Sequence, residues 1–381
     1  MSATVHPSLA WFPLVPRPRP PGLPLEARVA ELAALAASVE RRTQQEQVTR
    51  AAEVLNKAAL IASDCGVPDL ACELCRRQYE LFAQRAPLPG WAVRLALQPV
   101  LNIPRQLIRD GHGDDALALL QALHNAVVTR ATVVIDGMRI DFGTLSSTTD
   151  GHKEACTLTW TALLADGTRA LAQAGRWKEA ASQASAHRGI GARLLDGRQA
   201  AILALLTDGP AAEAALMVEQ SAVAEPWEHA VQAVLRVLCQ RAAGQDYTSG
   251  VATMLAAASA LVDVQDPATA VSRARIGLVS LDLAGPTDTP EGPAVRAALI
   301  AAGNADGYVA RDLLTTVHAN WSLTSVQQSR LQSLVNACGL DAGAIPGSLH
   351  DDLTRSMDRA EAALTVAMNM SAEPRQPSRS A

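Results

Sequence analysis

The densest group of acid–base side chains lies in and just beyond a stretch of short β-branched runs. Asp136, Arg139, Asp141, Asp150, His152, Lys153 and Glu154 follow one another closely there, with His124 upstream. Carboxylates, an imidazole and a guanidinium on one loop are the groups of general acid–base chemistry. If the chain is an enzyme, His152, Asp141 and Arg139 are the candidate catalytic residues; a solvated structural loop is the alternative. A second cluster, Asp110, His112, Asp114 and Asp115, lies in Asp-Gly-His-Gly-Asp-Asp. It offers hard ligands, but in a tight turn the Asp pair equally suits a helix N-terminus. Cys72 and Cys75 form a C-x-x-C, with Cys65 nearby. Zinc needs four ligands and no second pair exists. On a helix that spacing puts both thiols on one packing face, so core cysteines are expected.

His350-Asp351-Asp352 invites comparison with the metal-binding aspartates of helical prenyl-diphosphate and terpene enzymes. Here Arg355 stands where their Asp-Asp-x-x-Asp spacing needs a carboxylate, and only 3% of the residues are aromatic. A charge pair opening a helix is the expectation. No Gly-rich phosphate loop, nucleophile elbow or zincin motif is present, and neither cofactor nor metal is expected.

The elements that position these groups follow from composition and period. The 381 residues are 49% hydrophobic, with few rings, so Ala, Leu and Val must build the core. Ala and Leu are strong helix formers, and a sheet-rich chain would carry more β-branched and aromatic residues. An all-α fold is expected. A net charge of −5 gives no footprint for nucleic acid. The Arg-over-Lys bias, with Lys only at 57, 153 and 178, suits a GC-rich bacterial genome. The most apolar stretch, Val251 to Val262, is too short to span a bilayer. With no basic segment ahead of an apolar run and six scattered cysteines, a soluble cytoplasmic protein with reduced thiols is expected.

Residues 1–24 form a Pro-rich arm, with seven prolines between His6 and Pro24. Two readings stand: a loosely ordered terminus, or an extended arm in which Trp11, Phe12 and Leu14 strap onto the body or a partner. Residues 25–284 read as a helical array. It opens with Leu25, Val29, Leu32, Leu35 and Val39 on one face, and breaks at Gly66-Val67-Pro68, at 87–90 and at Gly111. Pro99 and Pro104 should kink or split the helix between the last two breaks. Asp136-Gly137 between β-rich runs predicts a hairpin within the insertion 132–150. Helices resume over 152–174, 177–188, 191–207, 211–224, 227–243, 247–263 and 267–284. The Gly/Pro-rich stretch 285–293 predicts a boundary or long turn, followed by about four shorter helices within 285–370. Thr324-x-x-Gln327 and Ser348-x-x-Asp351 read as caps of the last two, and 371–381 as a disordered tail.

Glycine followed five residues later by a small residue recurs at the helix turns: Gly66/Ala71, Gly111/Ala116, Gly175/Ala180, Gly209/Ala214 and Gly244/Ser249. Glycine ends the first helix in a left-handed conformation, and the small residue lets the second helix cross closely. The last three glycines stand 34 and 35 residues apart. Gly175-Arg-Trp177-Lys-Glu179-Ala180 carries the full turn pattern, and Pro226 follows at a familiar inter-repeat position. Over about residues 50–260 the chain thus resembles tetratricopeptide-repeat proteins, with degenerate repeats.

That resemblance implies an αα-hairpin solenoid whose inner helices line a concave groove. In that register Glu53, Asn56, Gln98, Arg105, Arg169, Asp196, Gln199 and Arg241 lie on or near the groove, an arrangement suited to an acidic peptide or a carboxylate. The expected function is a helical-repeat interaction protein, an adaptor or regulatory sensor, binding a peptide, protein partner or small ligand. The alternative is an enzyme or biosynthetic accessory protein with its site at the 132–154 insertion.

Overall fold

A computed structural model describes residues 9, 12–39, 43–208, 210–285, 289, 291–316 and 322–370. Trp11, Gly209 and the 371–381 tail, on which three expectations rest, lie outside the described residues.

Among the described residues the fold is all-α apart from one small sheet. The first helices are α1 (Leu25–Ala37), α2 (Gln44–Asp64), α3 (Pro68–Ala83), α4 (Gly90–Arg109) and α5 (Gly113–Thr129). Strands β1 (Thr132–Ile135) and β2 (Met138–Asp141) follow. Then come α6 (Thr149–Gln173), α7 (Trp177–Ala186), α8 (Asp196–Asp208), α9 (Ala211–Glu219), α10 (Pro226–Ala242) and α11 (Thr248–Val262). The last five are α12 (Ala270–Ala284), α13 (Glu291–Ala305), α14 (Gly307–Thr315), α15 (Ser325–Ala337) and α16 (Gly347–Met370). No helix among these residues is long and apolar enough to cross a membrane.

The chain divides into two compact units, one of residues 25–162 and 341–381, the other of residues 1–24 and 163–340. In the first, the hairpin-bearing unit, α2 packs on α3 and α16, α3 on α4, α4 on α5, and α1 on both α2 and α16. Leu25, Val29, Leu32 and Val39 are buried as the period requires, while Ala36 rather than Leu35 completes the face. The hairpin forms where Asp-Gly placed it. Asp136 (φ 47°) and Gly137 (φ 79°) take the two left-handed positions of the turn, and Val133 pairs with Ile140. Ile135, Met138, Ile140 and Phe142 anchor it in the core. α4 departs from expectation: it runs unbroken through Pro99 and Pro104. Each proline deletes one intrahelical bond, and both are buried on the packed face, where neighbouring helices hold the turn.

In the second, the arm-bearing unit, each helix from α7 to α14 packs on its successor. Second neighbours also meet, α10 with α12, α11 with α13, α12 with α14 and α13 with α15. Gly175 and Gly244, like Gly66 and Gly111 in the other unit, adopt the left-handed φ that ends a helix. Ala71, Ala116, Ala180 and Ala214 are buried at the expected positions. Ser249 is exposed, and the close crossing falls one residue later. A Cβ on Gly250 would lie 2.6 Å from Gln240 Oε1 and 3.3 Å from Val237 Cγ2.

Two helices are shorter than their apolar runs suggest. α8 starts at Asp196 rather than 191, and α9 stops at Glu219 rather than 224. The freed segments pair with one another, Ala222 N donating to Ala192 O at 2.9 Å and Leu194 N to Ala222 O at 3.2 Å. Arg198, buried, locks them by donating to Ser221 Oγ (2.7 Å), Gly191 O (3.0 Å) and Met217 O (3.0 Å). Past α12 four helices follow, but α16 is long, its buried Leu353, Met357, Ala360, Leu364 and Ala367 recurring at helical period. Thr324 and Gln327 cap α15 reciprocally, whereas α16 opens at Gly347, one residue ahead of the expected cap.

Candidate functional site

The Pro-rich arm lies against the arm-bearing unit, bending at Val15, and the groups that seat it are the chemistry of the site. Its prolines fix φ and delete amide donors, leaving few N–H groups to satisfy. Val15 N donates to Asp196 Oδ1 at 3.0 Å, and Val15 O accepts from Arg169 Nη2. One residue is thus held through both backbone groups by two side chains from α6 and α8. Arg19 N donates to Ala268 O at 3.0 Å. Gly22 N donates to Asp306 Oδ2 at 2.8 Å, and Gly22 O accepts from Gly307 N at 2.8 Å and from Cys338 Sγ at 3.3 Å. Asp306 also caps α14 by accepting from Tyr308 N (2.8 Å) and Val309 N (3.1 Å), so one carboxylate serves helix and arm.

The arm's side chains dock between these backbone anchors. Phe12 meets the buried Trp177 edge to face, ring centroids 6.4 Å apart at 89°, and Leu14 is 3% exposed. The Arg17 guanidinium pairs with Asp166 of α6, whose carboxylate is 2% exposed. The Arg19 guanidinium stacks 3.4 Å above the buried Tyr308 ring, a cation–π contact. Gly22 is required by space: a Cβ there would stand 2.8 Å from both Gly307 N and Tyr308 N.

Electrostatically the seat is a balanced set of two half-buried guanidiniums and two buried carboxylates. Burial pushes Arg169 down to about 10, the like charge of Arg17 acting the same way, while Asp196 and Asp166 oppose both. Burial raises Asp196, and the Arg169 and Arg17 charges with the Val15 N–H hold it back. Arg275, nearby, is raised by its partner Asp312, 2.7 Å away. Some buried polar atoms at the contact have no hydrogen-bond partner: Trp177 Nε1 and Arg169 Nε on the seat and Nη2 of the arm's own Arg17. The set can grip a backbone residue and neutralise a cation beside it.

Of the eight residues expected in a groove, four belong to each unit. Arg169 and Asp196 hold the arm, whereas Gln199 Nε2 donates to Leu194 O at 2.9 Å. Arg241 instead donates to Leu283 O at 3.0 Å, its guanidinium 5.3 Å from the Tyr247 ring. Both arginines thus meet backbone carbonyls. In the hairpin-bearing unit, Asn102 Nδ2 donates to Asn56 Oδ1 (2.6 Å) and Arg105 to Asn102 Oδ1 (3.1 Å). Glu53 pairs with Arg50 (2.9 Å) and Lys57 (3.4 Å), and Gln98 is half-buried on α4.

The hairpin residues are dispersed over separate contacts. Asp141 Oδ1 accepts from Gly143 N at 2.9 Å, Arg139 is exposed, and His152 Nε2 lies 3.6 Å from Cys156 Sγ. Burial lowers His152, and Arg130 acts in the same direction. Asp136 pairs with Arg76 at 2.8 Å, and Glu154 with Arg94 at 2.6 Å. Cys75 is buried and Cys72 half-buried on α3. Asp114 and Asp115 stand in the first turn of α5. Among the described residues no three His, Cys, Asp or Glu side chains are grouped as a metal ion would need.

Sequence reasoning missed Asp166, Asp306, Tyr308 and Cys338, each distant in sequence from the arm segment it touches. The arm's alternation of Pro with Arg was a signal, since a disordered tail has no need of that spacing. No family model, no characterised protein and no solved structure matches the chain.

Proposed function

We propose that the chain is a helical-repeat interaction protein, built from tetratricopeptide-like αα-hairpins, that binds an extended peptide segment of a protein partner as an adaptor or regulatory sensor in the cytoplasm. The repeat reading is supported by left-handed Gly175 and Gly244, by the buried Ala180 and Ala214, and by packing of each helix from α7 to α14 on its successor, with second-neighbour packing from α10 to α15. One observation carries the binding reading: Arg169 and Asp196 together hold the N–H and C=O of a single residue, Val15. Such two-handed backbone capture is sequence-tolerant, as peptide recognition requires, and the seats for flanking side chains supply selectivity.

Peptide display on the full-length Val15→Pro chain, whose arm can no longer donate to Asp196, tests this. Extended peptides should be enriched, and the enrichment should vanish when Asp196→Asn and Arg169→Met are added. Enrichment that survives both changes, or none above background, would sink the reading.

A further inference from the structure

We propose that the seat of residues 12–22 is a recognition site for a proline-rich, arginine-bearing segment of a partner protein, and that the arm occupies it in cis as a competing ligand. The proposal rests on the peptide-binding reading above and specifies its ligand. Four seats follow one another along the strand. An apolar residue meets the face of Trp177, and a backbone residue is gripped by Asp196 and Arg169. A first arginine meets Asp166, and a second, two residues on, meets Tyr308. On a polyproline strand that step is about 6 Å. Beyond it Asp306 and the α14 N-terminus take a glycine, the only residue that fits against Gly307 N and Tyr308 N.

Charge argues for a cationic ligand. The unit's own contribution is the buried Asp166 and Asp196 against the half-buried Arg169, so the strand's arginine completes neutrality. An acidic peptide would place a third carboxylate beside Asp166. Prolines suit the remaining positions because the seat offers few acceptors for further N–H groups, and a pre-extended strand loses little entropy on binding. The arm faces its seat at an effective concentration of order 1 mM, so a partner must outcompete it. That competition makes the arm a threshold: a partner segment binds only when abundant, or when the arm is held elsewhere.

The test uses full-length chains and a fluorescein-labelled peptide of residues 12–24, followed by anisotropy. Val15→Pro removes the donor to Asp196, and Gly22→Ala independently obstructs the far end. Each should bind the peptide about tenfold to a hundredfold more tightly than the unaltered chain, the worth of one charge-assisted hydrogen bond. A peptide with Glu at the positions of Arg17 and Arg19 should bind no better than a scrambled one. Equal affinity for unaltered and arm-weakened chains overturns cis occupancy. Binding of the Glu peptide as tight as the parent overturns the arginine code, while leaving the extended-peptide reading intact. If neither peptide binds although hydrogen exchange shows residues 12–22 released, both readings fall.

Discussion

Removing the Arg17 guanidinium isolates the electrostatic share of arm seating. Asp166 is 2% exposed and Arg17 33%, so Arg17→Ala strands a buried carboxylate. Breaking a buried pair from one side costs about 3–5 kcal/mol. The exposed third of Arg17 is screened by water, which reduces the expected cost to about 2–3 kcal/mol. That energy appears locally, as release of the arm, because the helices retain their own contacts. It corresponds to roughly a 30- to 150-fold rise in the opening equilibrium. Hydrogen exchange at Val15 N–H reads the opening directly. The cycle with Asp166→Ala should show a coupling of about 1–3 kcal/mol, since removing both charges leaves neither stranded. Val15 exchange changing less than about threefold, or a coupling below roughly 0.3 kcal/mol, would refute the electrostatic account of the seat.

Gly22→Ala should lift the far end of the arm from Cys338, whose Sγ donates to Gly22 O, and raise Cys338 labelling by a thiol reagent about tenfold; unchanged labelling would contradict the packing. Arg198→Leu removes three donations to the paired loops and should lower unfolding stability by about 3 kcal/mol in urea titration. Glu228 is buried, which by itself would raise its carboxyl, but Arg193 and the N–H groups of Glu225 and Ala224 outweigh burial and lower it. Its folded value therefore lies below its unfolded one, so it stabilises above the ordinary glutamate range and loses that contribution as pH falls through the lowered value. Glu228→Gln should flatten the acid limb of the stability–pH curve, and an unaltered limb would count against the assignment. Cys65 is pushed up to about 11 and Cys75 and Cys239 to about 12, all by burial, so native-state labelling of these thiols should be limited by unfolding rather than reagent concentration.

What the sequence disclosed were features encoded within a few residues. Asp136-Gly137 dictates a hairpin turn because few residues tolerate positive φ, and Gly66, Gly111, Gly175 and Gly244 end helices for the same reason. Thr324 and Gln327 cap their helix because both partners lie in one turn. What escaped depends on residues meeting from afar. The 191–195 and 220–224 segments carry helical composition, yet their backbones pair with one another and Arg198 locks them. α4 tolerates Pro99 and Pro104 because packed neighbours, invisible to a local rule, support it. Arg169 and Asp196 were legible as polar positions on an inner face, and an arm strapped down by Phe12 and Leu14 was one of two readings, but the grip of these side chains on Val15 was not legible. Asp166 and Asp306 show no local sign of their role, since Arg17 lies 149 residues from one and Gly22 284 from the other.

That last separation also orders events during synthesis. Gly22 leaves the ribosome 284 residues before Asp306, its acceptor. At about 5–20 residues per second the interval is roughly 15–60 s. In its last part, once Asp166 and Asp196 are made, the arm's first anchors can form while the far anchor does not yet exist. Closure of a loop that long is also slow compared with helix pairing among neighbours. Each newly made chain therefore passes through a state with its seat incomplete.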